Sequence, residues 1–339
     1  MERLTIKAGD AVSIPSAPGT PEQAHVFSEQ EILAIETALA ARRALLVRGE
    51  PGTGKTQLAR AAALVLKRTF VSFVVDSRTE SRDLLWHFDA VARLADAQVY
   101  GALLGQRGVA AAPGTDEAAI LKDLKGKLAT ENFIHPRALW WGLDWSGAVR
   151  QAGRVGAPVP VPFAGCDPAN GVVVLIDEID KADSEVPNGL LEALGASEFS
   201  VAGQETPVRP EPRSRPPLVI ITTNEERSLP AAFVRRCVVL KLQLPTARQK
   251  LIDHLMLRGR AHFPATEVAD DVLSEAASLL AHDRDEAIAK RWFPRPGQAE
   301  FMDLVRAARE LAGVDADRQR AELARVAAFT LRKHLSAED

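Results

Sequence analysis

Gly49-Glu50-Pro51-Gly52-Thr53-Gly54-Lys55-Thr56 has the residue types and spacing of a phosphate-binding loop, G-x-x-x-x-G-K-[ST]. Gly52 and Gly54 allow backbone angles closed to other residues, so that successive N–H groups turn inward toward phosphate oxygens. Lys55 supplies a point charge for the β and γ oxygens, and the Thr56 hydroxyl is a ligand for Mg²⁺. A second pair of groups completes such chemistry. Val172 to Ile176 is an unbroken apolar run ending in Asp177 and Glu178. Asp177 suits the metal's shell and Glu178 suits a base or an orienter of attacking water. Asn224 ends a third apolar run, Leu218 to Thr223, where its amide can bond that water or the terminal phosphate. The chemistry implied is that of a nucleoside triphosphate.

These groups need strands to carry them and helices to cover the strands. Ala44 to Arg48 reads as a short strand before the loop, and Gln57 to Leu66 as the helix after it. Thr69 to Val75 is β-branched and aromatic, a second strand. The runs before Asp177 and Asn224 suit parallel strands buried on both faces, whose carboxyl ends are where such sheets bind ligands. Ser28-x-x-Glu31 is a capping box opening a helix through Ile35 and Leu39. A further helix is expected from near Ser81 through Leu84, Phe88, Val91 and Leu94, with the pattern turning irregular at Gln98.

From Lys55 to Asp177 the chain is about twice as long as a plain strand-helix path requires, so the core carries an insertion at about 97–165. It holds a helix from Asp116 to Leu128 and three of the five tryptophans, Trp140, Trp141 and Trp145. They either form a small satellite core or present a contact surface. His135 beside Pro136 reads as a turn histidine. Residues 197–209 have the grammar of a β-hairpin. Beyond Pro245 four helices are expected, Ala247 to Arg258, Val268 to Ala281, Gln298 to Ala312 and Asp317 to His334. Lys290 to Gly297 is the segment expected to reach back to the nucleotide. The domains expected are an N-terminal extension at 1–26, a nucleotide-binding core at 27–244 and a helical lid at 245–339.

The 339 residues, 46% of them apolar, are ample for a buried core. The chain has no apolar run of membrane-spanning length and no basic-then-apolar leader, which reads as soluble and cytoplasmic. Cys166 and Cys237 stand far apart without ligand spacing, so neither a disulfide framework nor zinc is indicated. With 42 basic and 45 acidic residues, net −3, there is no global basic field for nucleic acid.

The loop, Leu-Ile-Asp-Glu-Ile-Asp-Lys-Ala, Thr-Thr-Asn, Leu-Pro-Ala-Ala-Phe-Val-Arg-Arg-Cys and the helical C-terminal part together resemble the AAA+ ATPases over about residues 27–339. The hairpin and the Asn-Glu-Glu-Arg-x-Leu-Pro stretch are similar to the MoxR-type and dynein-related group. The resemblance implies an α/β fold, a three-layer αβα core with a parallel sheet and an all-helical lid. It implies ATP or ADP with Mg²⁺, a homo-oligomeric ring of six, and chaperone-like remodelling of a protein partner, often one with a von Willebrand factor A domain. By position, Gly49 to Thr56 would be Walker A, Asp177 and Glu178 Walker B, Asn224 sensor 1, and Arg236, with Arg235 beside it, the arginine finger. The lid departs from the pattern: Pro296-Gly297-Gln298-Ala299 stands where relatives carry a sensor 2 arginine, leaving Arg295 or Arg291 to substitute. A nucleotide-gated scaffold with very slow turnover is the competing class. A nucleic-acid translocase is disfavoured by the charge balance and by the lack of a basic, aromatic-interleaved run. No Asn-Lys-x-Asp guanine motif is present.

Overall fold

The computed structural model describes residues 3–16, 21–108, 117–210 and 214–333. β1 (Ala11–Ile14) and β2 (Gln23–Val26) pair antiparallel, with Ala11 opposite Val26. In α1 (Glu29–Ala41) the capping box closes as its spacing predicts. Ser28 N donates to Glu31 Oε2 at 2.6 Å, and Glu31 N donates to Ser28 Oγ at 3.3 Å. β3 (Leu45–Arg48), the loop, α2 (Lys55–Val65) and β4 (Thr69–Val74) follow.

After β4 the chain departs from the helix expected at Ser81. Ser81–Leu84 is a single 3-10 turn, β5 (Trp86–Phe88) comes next, and α3 (Ala90–Gly108) begins only then. Trp86 to Phe88 is an aromatic run that finds a strand partner, and pairing overrides the helical spacing. That partner lies past α4 (Glu117–Lys127) in β6 (Ile134–Pro136). His135 faces His87 across this pair, so it sits on a strand rather than in a turn. α3 runs on through the stretch read as irregular because Val91, Leu94 and Val99 are all more than half exposed. Its described apolar residues mark no inward face, and the helix is tied down instead by polar contacts, Arg93 Nε donating to Leu128 O at 3.0 Å and Lys127 lying over the Tyr100 ring. Asp116, the expected start of α4, lies outside the described residues.

α5 (Ala138–Leu143) and α6 (Trp145–Val155) carry the tryptophans. Trp140 and Trp141 are 2% and 4% exposed, and they belong to the main core rather than to a satellite one. α5 lies directly on β7 (Val172–Asp177), so close that a Cβ on Gly142 would stand 2.6 Å from Val174 Cγ2. α7 (Glu185–Ala196) leads to the expected hairpin, which shrinks to one bridge. There Phe199 and Val208 exchange hydrogen bonds of 3.0 and 2.8 Å. β8 (Leu218–Thr223), α8 (Ala231–Val234) and β9 (Val238–Lys241) complete the αβα part.

Among the described residues five parallel strands form the main sheet in the order β4-β7-β8-β3-β9. β8 is buried at every position and β7 at all but Asp177, which explains their unbroken apolar sequence. The described residues of β1 and β2 pack on this body. Ile14, Phe27 and their neighbours join Leu58 and Ala62 of α2 in one core. α9 (Arg248–His262), α10 (Asp270–Ala289), α11 (Gln298–Ala312) and α12 (Ala316–Thr330) pack around a core of their own, centred on Leu255, Phe301 and Leu304. α9 is clasped to β2, where Ala24 N donates to His262 Nε2 at 3.2 Å. No helix among the described residues is long and apolar enough to cross a membrane.

Candidate nucleotide site

β3 ends at Arg48, and the chain turns through the loop into α2 at the carboxyl edge of the sheet. Gly52 and Gly54 hold φ of +75° and +90°, and Gly54 stands at the N-cap of α2 with no side chain to cap it. The first amides of α2 are thus left for an anion. Lys55 is buried, and its ammonium donates to Gly49 O at 2.8 Å and to Glu50 O at 2.9 Å. Burial pulls its pKa below the usual lysine range, opposed by the carboxylates of Asp177, Asp180 and Glu178.

β7 and β8 deliver the acidic half. Thr56 Oγ1 donates to Asp177 Oδ2 at 2.8 Å, joining the end of β7 to the first turn of α2. Thr222 Oγ1 donates to the other Asp177 oxygen and accepts from Glu178 N at 2.9 Å. Glu178 holds a left-handed φ of +60°, and Asn224 Nδ2 donates to its Oε1 at 3.2 Å. Asp180, 2% exposed, accepts from Asn224 N at 3.3 Å and from Glu226 N at 2.9 Å, fixing the loop after β8. Sequence reasoning gave Thr222 and Asp180 no role. The Asp-Glu-Ile-Asp spacing was the available signal for Asp180; Thr222 had none beyond its strand.

A cavity of about 380 Å³ opens over these groups. Pro51, Gly52, Gly54, Lys55, Thr56, Asp177, Glu178 and Asn224 all line it, so the structure brings these sequence-selected residues together. Its far wall was not foreseen. Gln23 of β2, His262 of α9, and Met302 and Arg306 of α11 reach it from segments without a motif. Ala299, near the start of α11, lies against the loop, its Cβ 3.0 Å from where a Gly52 Cβ would be.

Six selected residues stand elsewhere. Thr53 Oγ1 turns back to Glu50 O at 2.9 Å. Glu50 and Arg295 line a separate cavity of about 320 Å³, in which Arg295 lies 3.7 Å from the Glu50 carboxylate and stacks on Phe293. Arg291 does not line the nucleotide cavity. Arg235 and Arg236 are exposed at the end of α8, where Val238 N bonds Ala44 O at the start of β3. The loop leaves the other end of that strand, so these arginines sit at the opposite edge of the sheet from their own loop.

The set fits a magnesium nucleotide: a glycine cradle with free amides, a buried lysine, and a threonine–aspartate pair whose oxygens suit a hard cation. Sheet order, loop and acidic strand end define a P-loop nucleotide-binding protein of the AAA+ kind, with a C-terminal helical part. Residues 44–237 match the AAA domain of the dynein-related subfamily, and the chain belongs to that family. No curated protein matches it. Among solved structures it is similar to the Thermotoga maritima RuvB P216G mutant, at 15% identity over 88% of this chain and 68% of that one, with a TM-score of 0.44. The Thermotoga maritima RuvB Holliday junction branch migration motor gives 14% over 88% and 67%, TM-score 0.39. A provisionally assigned ATPase from Cytophaga hutchinsonii gives 14% over 91% and 82%, TM-score 0.34.

Proposed function

We propose that this chain binds ATP with Mg²⁺ in the cavity over Lys55 and hydrolyses it, as one cytoplasmic protomer of a homo-hexameric ring. Its cycle remodels a protein partner, as the MoxR-type resemblance implies, a von Willebrand factor A domain protein being the partner class. The observation that carries the reading is the joint made by Thr56, Asp177 and Glu178. A hydroxyl and a carboxylate meet at 2.8 Å where a cation on the phosphates belongs, with a second carboxylate held beside them by Asn224. Thr56 and Asp177 would hold the ion, which when bound neutralises charge on the phosphate oxygens. Lys55 and the loop amides bind the phosphates, Asn224 orients, and Glu178 takes the proton of the attacking water. In the same reading residues 27–244 act as the core and 245–339 as the lid.

The roles separate in two variants. Lys55→Ala is expected to abolish ATP binding or weaken it severely, because it removes a ground-state contact. Glu178→Gln is expected to bind ATP normally and to stop turnover, because its group acts in the transition state. ATP affinity and phosphate release decide it, and normal turnover in Glu178→Gln would remove that residue from its role. Tight binding with negligible turnover in the unaltered chain, with and without partner, would favour the nucleotide-gated scaffold instead.

A further inference from the structure

Behind the phosphate-binding loop, on the side away from the nucleotide cavity, Glu50 is held by the lid. Arg284 of α10, only 7% exposed, donates from Nη2 to Glu50 Oε2 at 2.6 Å and from Nη1 to Pro296 O at 2.8 Å. The two contacts lead to the same place from opposite sides. Glu50 O, in the main chain of the loop, accepts from both Lys55 Nζ and Thr53 Oγ1 at 2.9 Å. Pro296 opens the segment that enters α11, whose Ala299 covers Gly52. One guanidinium therefore ties the loop to the helix that closes over it. Arg295 adds a second, more distant charge on Glu50 at 3.7 Å.

We infer that Arg284 is a positioning residue for the nucleotide site. Through Glu50 it fixes the loop carbonyl that aims Lys55, and through Pro296 it sets the seating of α11, so that it governs nucleotide release without touching nucleotide. The inference rests on the nucleotide-binding reading and deepens it. A planar guanidinium reaches both acceptors at once, which an ammonium cannot match in geometry. Removing Glu50 leaves the guanidinium of Arg284 buried without its carboxylate, whereas removing Arg284 leaves the half-exposed Glu50 with only the more distant Arg295. The pair is thus engaged only while loop and lid keep their present spacing, and a lid that swings away must break it.

The experiment measures release of a fluorescent ADP analogue by stopped flow from the full-length chain, alongside thermal unfolding of the nucleotide-free protein. Glu50→Gln and Arg284→Met are each expected to speed release on the order of tenfold, and the double variant no more than either alone. Arg284→Lys, which keeps the charge, is expected to fall between wild type and Arg284→Met. A lowered unfolding temperature with unchanged ADP release would make the pair mere lid glue and overturn the inference. So would single effects that add in the double variant. Should Arg284→Met fail to fold, Glu50→Gln and Arg284→Lys still decide, because unchanged release in both overturns it equally. Failure of the unaltered chain to bind ADP would sink the site reading itself, an outcome distinct from normal binding with unaltered release.

Discussion

Thr222 shows how much of the candidate site is positioning rather than ligand contact. Its hydroxyl accepts from Glu178 N and donates to Asp177, so one side chain fixes the Asp177 carboxylate and the main chain of Glu178 at a strand end. Asp180 does the same for the backbone around Asn224. Asp177, Glu178 and Asn224 were legible because their chemistry fixes both residue type and place at strand ends. Thr222 was not, because a threonine inside a strand is ordinary there. His254 marks another residue that sequence left silent. It is largely buried on α9, its Nδ1 facing Arg258 Nη1 at 3.2 Å, and burial first, then that guanidinium, push its pKa down to about 4. Burial lowers His262 on the same helix as well. A histidine depressed in the folded state binds its proton more readily when unfolded. Stability is therefore full above about pH 6.5 and declines as pH falls toward 4, by at most about 3 kcal/mol for His254. Urea midpoints across that range should slope downward in the parent and more gently in His254→Gln. Equal slopes would acquit the residue.

At the scale of elements, legibility followed the strength of a local rule. The Ser28 capping box, the two buried strands and the α11 boundaries obey rules written in a few adjacent residues. What escaped depends on partners far away in sequence. Trp86 to Phe88 became a strand because Ile134 to Pro136 was there to pair with it. The pair β1 and β2 became part of the body because α2 offered it apolar surface and His262 of α9 took the amide of Ala24. α5 is the sharpest instance, since aromatic composition pointed to an outlying cluster, whereas Gly142 lets the helix settle onto β7 itself. A methyl group there would overlap Val174, so Gly142→Ala is expected to destabilise the fold by roughly 1–3 kcal/mol through overpacking. The gain in helix propensity offsets it by only about 1 kcal/mol. Chemical denaturation measures the balance. A stabilised variant would mean that α5 lifts off the sheet at little cost.

For the whole molecule the decisive residues are those the fold keeps apart. Arg235 and Arg236 end α8 beside the start of β3, and the loop begins at that strand's other end, about 10 Å or more away along the sheet. Both are exposed, and among the described residues neither side chain has a hydrogen-bond or ion-pair partner. An arginine turned away from its own nucleotide can serve a neighbour's, where a cation on the transferring phosphoryl group is worth on the order of 10³ to 10⁵ in rate. The plain alternative is a helix-end cation that complements the dipole for about 0.3 to 1 kcal/mol, and it foresees almost no kinetic effect. If the proposed ring forms, Arg236→Ala should lose turnover far more than ATP affinity, and a dilute monomer should be inactive. Mixing separates the two accounts. Protomers carrying Arg236→Ala and protomers carrying Lys55→Ala, each inactive alone, should recover some hydrolysis together, at sites where an intact loop meets an intact arginine. Recovery is expected to depend on mixing ratio and to vanish when both changes sit in one chain. Mixed oligomers that assemble yet stay inactive, or a monomer that hydrolyses at full rate, would show that the arginine does not act across an interface.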